Sequence, residues 1–124
     1  DVGEIKRVLN SFLVFFEEEQ SDSIVVAATN HIEALDKALF RRFDDIIEFD
    51  LPGESEVQRL IQNKFNLFEY KVKDWDAIYC AAKGLSYAVI SNACDDAAKE
   101  AILNNKKLVD EKFLLQSLKN KTRL

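Results

Sequence analysis

Glycine is scarce, with Gly3, Gly53 and Gly84 the only three among 124 residues. That is too few for the glycine-rich backbone cradle in which phosphate-binding loops hold a nucleotide, and no Gly-Lys-Ser or Gly-Lys-Thr tripeptide occurs. A phosphate-binding loop is therefore excluded from these residues. Cysteine is scarcer still. Cys80 and Cys94 cannot supply a secreted disulfide framework or a four-ligand zinc site, the lone His31 adds little, and both thiols read as reduced and packed. No apolar run approaches the roughly 18 to 20 residues of a spanning helix, and Asp1-Val2-Gly3-Glu4 has neither a basic nor an apolar leader region. No membrane partner is expected, and the cytoplasm is the expected location. Positive charge is outnumbered, 17 Lys and Arg against 22 Asp and Glu. The long-range field that gathers phosphate backbones is missing, so direct nucleic-acid binding is not expected.

What is present can fold. Hydrophobic residues make up 48% and charged residues 31%, enough to fill a core and solvate a surface in one compact domain or two small lobes. Residues 2–19 set Val2, Ile5, Val8, Leu9, Phe12, Leu13 and Phe16 at three- and four-residue spacings, which predicts an amphipathic helix. Ile24-Val25-Val26-Ala27-Ala28 is a short continuous apolar run rich in β-branched residues, the pattern of a strand covered on both faces. Ile32 to Phe40 predicts a short helix carrying Leu35, Ala38 and Leu39, with Asp36 as an N-cap. Ile46-Ile47-Glu48-Phe49 predicts a second strand, and Pro52-Gly53 breaks the chain there. The aromatic group Phe12, Phe15, Phe16, Phe40, Phe43 and Phe49 reads as core.

Beyond the break everything reads helical. Val57, Leu60, Ile61, Phe65 and Phe68 share one face of a helix starting at Glu54, and Asp74 to Ala82 is a shorter helix capped by Asp74 and ended by Gly84. Ser86 caps a long helix whose face of Val89, Ile90, Ala93, Cys94, Ala97, Ala98, Ala101 and Ile102 invites close approach, and Asp110 caps the last, with Phe113, Leu114 and Leu118 inward. The architecture expected is thus an α/β lobe at 1–52 followed by an all-α lobe at 53–124, mostly helical. Two buried-type strands cannot satisfy all their edges between them. They must pair abnormally, exchange with another chain or rest on a separate polypeptide.

Three stretches carry chemistry: Ile24 to Asn30, then Leu35-Asp36-Lys37-Ala38-Leu39-Phe40-Arg41-Arg42-Phe43-Asp44, then Ile47 to Pro52. Together they resemble the second region of homology of AAA-type (AAA+) ATPases. Gly3-Glu4-Ile5-Lys6-Arg7 onward resembles the helix after the Walker B strand, and residues 53–124 resemble the helical lid of these P-loop NTPases. The resemblance covers nearly the whole chain but lacks Walker A and Walker B. Glu48 does not replace the latter, because it lies inside its strand rather than at the end, where an Asp-Glu pair holds Mg²⁺.

The resemblance implies roles. Asn30 becomes the sensor-1 residue, a neutral amide able to hold a γ-phosphate oxygen and a water together. Its bland alternative is an Asn bonding its own turn. Arg41 and Arg42 become arginine fingers for a neighbouring subunit's nucleotide, in the Arg-Arg-Phe style of katanin and spastin rather than the version interrupted by Pro-Gly. Their alternative is a surface pair bonding Asp44 or Asp45. In the lid, Gly84-Leu85-Ser86-Tyr87-Ala88-Val89-Ile90 stands where relatives have Gly-Leu-Ser-Gly-Ala-Asp-Ile. Nucleotide contact there rests on Gly84, Tyr87 and Ala88, Tyr87 either stacking on the base or blocking it. A sensor-2 arginine is missing, since no Arg occurs between Gly84 and Lys107. His31 lacks a nameable nucleophile or orienting partner and is read as solvated.

The resemblance further implies that the intact protein binds ATP and Mg²⁺, mainly through residues other than these, hydrolyses ATP as a homo-oligomeric ring, usually a hexamer, and remodels a protein substrate. The 124 residues alone are expected to be inactive. Two rivals stand beside this reading: a non-enzymatic helical interaction module using the alanine-faced helix, and a clamp- or helicase-loader, which the acidic balance disfavours.

Overall fold

The computed structural model describes residues 2–18, 22–34 and 36–122, and divides the chain into two compact units, Asp1–Glu48 and Phe49–Leu124. Helix is the dominant element in the order of the chain.

The first unit is carried by α1 (Val2–Glu18), whose Glu4 lies in the first turn, where the helix dipole favours a negative charge. A 3₁₀ turn at Ile32–Ala34 and a single turn of helix, α2 (Lys37–Phe40), follow. The short helix expected over 32–40 is thus two shorter pieces, and Leu35 lies outside the described residues. Asp36 occupies the N-cap position of α2 but makes no capping bond with its side chain. Its Oδ1 instead accepts from Lys6 Nζ at 3.3 Å.

The two expected strands do not form. Residues 24–28 and 46–49 run as irregular backbone, and Ile24 and Phe49 are 91% and 87% exposed. The edge argument explains the outcome: an apolar run becomes a buried strand only with neighbouring strands on its edges, and among the described residues none lies beside either segment. The aromatic core is corrected for the same reason. Phe12 and Phe15 are more than half exposed, while Phe16, Phe40 and Phe43 are half-buried. Phe16 makes edge-on contacts with Phe12 and Phe15, at centroid distances of 4.6 and 5.8 Å. Only Leu13 and Leu39 are buried apolar residues among those described in this unit.

The second unit has the core. It contains α3 (Glu54–Lys64), α4 (Trp75–Ala82), α5 (Tyr87–Leu103) and α6 (Glu111–Thr122). Two strands that the all-helical expectation missed, β1 (Glu69–Lys71) and β2 (Leu108–Asp110), pair in parallel, with Tyr70 opposite Val109. Three residues are too few to display a two-residue period, so their pairing leaves no trace in sequence. Caps set the helix starts as expected. Asp74 Oδ1 accepts from Ala77 N at 3.1 Å, Ser86 Oγ from Val89 N at 3.3 Å, and Asp110 Oδ1 from Lys112 N at 3.3 Å. Stops are equally local. Gly84, at φ +84°, completes a turn closed by Leu85 N donating to Ala82 O at 3.0 Å. Asn105, at φ 54°, ends α5 with the paired bonds of a Schellman motif, Lys106 N to Ala101 O and Asn105 N to Ile102 O.

Between these ends α5 is the central element, packed against α3 and α6. Its Ile90, Ala93, Cys94, Ala97 and Ala101 are all but solvent-free, and Val57 and Ile61 of α3, Phe65 just after it, Ile78 of α4 and Leu114 and Leu118 of α6 close around them. Alanine on the central helix lets its neighbours approach closely. The larger side chains on those neighbours each contribute about 1.5 to 3 kcal/mol of burial. Tyr79 donates to Gln58 Oε1 at 2.7 Å, and Asp74 N to Glu111 Oε1 at 2.8 Å, tying α4 to α3 and to α6.

Candidate functional site

Asn30 stands in a bend directly after the irregular 22–29 segment, with its side chain exposed. The polar contact of this turn is made by its neighbour: Thr29 Oγ1 accepts from His31 N at 3.0 Å. The turn is therefore closed without Asn30, and both its amide donor and its amide oxygen remain available to a ligand.

Arg41 follows α2 immediately, in helical conformation at φ −68° and ψ −18°. Two backbone bonds carry the chain past it, Arg42 N to Leu39 O at 3.1 Å and Phe43 N to Phe40 O at 3.3 Å. Buried Leu39 fixes one side of this turn, so the two arginines emerge from an anchored backbone. Both are exposed, but their surroundings differ. Arg42 is tied down: its Nη1 donates to Glu17 Oε2 at 3.3 Å, across 25 residues from the last turn of α1. The alternative pairing with Asp44 or Asp45 is not what the structure shows; the carboxylate that meets an arginine comes from α1. Sequence reasoning missed Glu17. The only signal would have been its position on α1, four residues after Leu13, a buried residue of that helix. One anchored guanidinium, one open guanidinium and an open amide are each groups whose N–H donors suit phosphoryl oxygens.

The remaining site residues lie in the second unit. Gly84 holds the left-handed turn before α5, and a Cβ built there would meet nothing within 4 Å, so the glycine serves backbone conformation rather than close approach. Tyr87 opens α5 and is 43% exposed; Ala88 beside it is exposed too. The two cysteines are both free thiols. Cys94 is buried, its thiol pushed up to about 12 by burial first, with Asp95 adding to the shift and Lys64 opposing it. Cys80 is exposed on α4, so only Cys94 is the packed thiol that the sequence predicts of both.

The profile of the ATPase family associated with various cellular activities (AAA) matches residues 1–51, the span that holds Asn30, Arg41 and Arg42. Over these residues the chain matches the AAA family. Similarity to AAA proteins then runs on through the helical unit. The chain is 33% identical, over 98% of its length, to the AAA family ATPase y4kL of Sinorhizobium fredii, of which the match covers 36%. It is 34% identical over 93% of its length to the ATP-dependent zinc metalloprotease FtsH of Karelsulcia muelleri, covering 19% of that protein. It is 33% identical, again over 93%, to the proteasome-activating nucleotidase of Sulfurisphaera tokodaii, covering 31%. The chain thus spans about a third or less of these AAA relatives, and its mostly helical structure accords with an α/β fragment followed by a helical lid. No helix among the described residues is long and apolar enough to cross a membrane.

Proposed function

We propose that these residues are the sensor- and arginine-bearing part of an AAA ATPase module, 1–52 ending its α/β subdomain and 53–124 forming its helical lid. The intact protein would hydrolyse ATP as a ring-shaped homo-oligomer, a hexamer, in the cytoplasm and remodel protein substrates. The observation that carries this reading is the AAA match over the segment where Asn30 and Arg41 are open while Glu17 anchors Arg42.

The donor set fits a phosphoryl group. Taken singly, the Asn30 amide and the Arg41 guanidinium each offer N–H donors with no carboxylate paired to them, Asn30 toward its own subunit's nucleotide and Arg41 toward a neighbour's. It does not fit a metal: among the described residues no group of three or more His, Cys, Asp or Glu could hold one. Mg²⁺ and most of the ATP are accordingly assigned to residues other than these. Bound ATP supplies the phosphoryl group for transfer. Toward it, Asn30 donates from Nδ2 to a γ-phosphate oxygen and accepts from water at Oδ1. Arg41, in the neighbouring subunit's site, neutralises charge, and Arg42, held by Glu17, sets the direction of the pair. The lid's own contact rests on Gly84, Tyr87 and Ala88.

In the intact protein, Arg41→Ala is expected to abolish assembly-dependent ATP turnover while circular dichroism and oligomer mass stay unchanged. Unaltered turnover would remove the finger role and leave the arginine pair incidental. Calorimetric titration of the 124-residue chain with Mg-ATP is expected to show no micromolar binding.

A further inference from the structure

One face of the helical unit has no part in this reading. Between α5 and α6 runs a groove of about 400 Å³, lined by Asp96, Glu100, Phe113, Gln116, Ser117 and Asn120. We propose that this groove binds a single arginine side chain presented by a partner protein.

Four features define the ligand. Asp96 and Glu100 lie one helical turn apart on the same face of α5, and both line the groove. Ser117 is nine-tenths buried at the floor of the groove, and its hydroxyl has no hydrogen-bond partner among the described residues. No side-chain polar atom among those residues is both sealed from solvent and unpartnered, so this oxygen still opens onto the groove. A hydroxyl so nearly buried gains most from a partner that enters there. Gln116 spends its Nε2 on Asn120 Oδ1, at 2.9 Å, and so keeps its own oxygen as an acceptor. Phe113 adds an apolar wall.

The groove already draws the chain's own cations. Lys121 Nζ pairs with Asp96 Oδ2 at 2.9 Å, and Lys106 Nζ stands 5.6 Å from the Phe113 ring centroid. Both approach through one oxygen or one ring, leaving Asp96 Oδ1 unpaired and Glu100 with only a long contact, 3.4 Å from Asn104 Nδ2. What remains is a set of acceptors around an aromatic wall. A guanidinium matches that set: it is planar, carries five N–H donors in a fixed fork and stacks on a ring, whereas an ammonium is a compact point charge. A metal does not match it, since two carboxylates fall short of a ligand cluster. Lys121 and Lys106, which already stand at Asp96 and Phe113, would repel a polybasic segment, so the partner presents one arginine among neutral or acidic residues.

The test is a titration of the ¹⁵N-labelled 124-residue chain with N-acetyl-arginine N-methylamide, its citrulline and lysine counterparts, and a short Ala/Glu peptide holding one arginine. The arginine amide is expected to shift the amide signals of Phe113 to Asn120 saturably, the lysine amide to bind more weakly, and the neutral citrulline isostere not to bind. The peptide should bind more tightly than the amide. Glu100→Gln, on an exposed position, should weaken the arginine amide by roughly tenfold through loss of a charge-assisted bond, and Ser117→Ala by a smaller factor, with helix content unchanged. The proposal is overturned by shifts that do not saturate, by equal binding of citrulline or lysine, by an unchanged affinity in Glu100→Gln, or by a peptide that fails to bind.

Discussion

Replacing Ile90 and Val26 by alanine, one at a time, tests the division between a packed second unit and an unpaired first. Ile90 is wholly buried at the centre of the helical core, and Val26 is 86% exposed in the segment whose composition predicts a strand. Ile90→Ala removes three carbons from a water-free site at about 0.8 kcal/mol each. The residual cavity brings the expected cost into the range of about 2 to 5 kcal/mol. Val26→Ala removes two carbons of which only a small part is sheltered from water, so about 0.2 kcal/mol is expected. Urea unfolding read by fluorescence suits the comparison, because the only tryptophan, Trp75, begins α4 and stacks on Tyr79 at 6.0 Å within the helical unit. The Ile90 variant should shift its midpoint strongly at unchanged slope, while the Val26 variant should overlay the parent. Amide exchange on the parent adds the first unit to the same experiment: residues 24–28 and 46–49 should exchange without protection. If Val26→Ala proved as costly as Ile90→Ala, or if the 24–28 amides were protected, the segment would be a buried strand after all.

Two further outcomes follow from local geometry. Gly84→Ala should cost about 1 to 2 kcal/mol in the same urea assay, because φ +84° strains any side chain while a methyl group there meets no neighbour; a neutral effect would mean that the turn re-forms differently. Cys94 should resist Ellman's reagent at pH 8 in the native chain, where Cys80 reacts. With its folded pKa raised from 9.0 to about 12, the buried thiol contributes stability that is fully present below pH 9 and declines as the pH rises from there toward 12. Cys94→Ala should flatten that alkaline decline, and an equal slope in both proteins would show that another group causes it.

Much of the second unit is legible in the order of its residues. Capping by Asp74, Ser86 and Asp110 and the left-handed stop at Gly84 involve groups within a few residues of one another, and a local cause leaves a local pattern. The alanine stripe of α5 is legible for a related reason, since helical periodicity alone puts those positions on one face. The AAA resemblance of residues 1–51 is legible in the same way, through short runs of consecutive residues around Asn30 and Arg41-Arg42.

Tertiary structure decided the rest, wherever the determining partner is distant in the chain. Strand β1 exists because residues 108–110 lie beside it, not because Glu69-Tyr70-Lys71 prefers to extend. The converse holds for Ile24 to Ala28: the composition of a buried strand is necessary for one, but only neighbouring strands can bond its edges, and none stands there among the described residues. Arg41 and Arg42 are identical as residues, and only the arrival of Glu17 from α1 makes one anchored and the other open. Sequence thus determined what each segment can do by itself. Which of those capacities is realised depends on hydrogen-bond and charge partners that only the folded chain brings together.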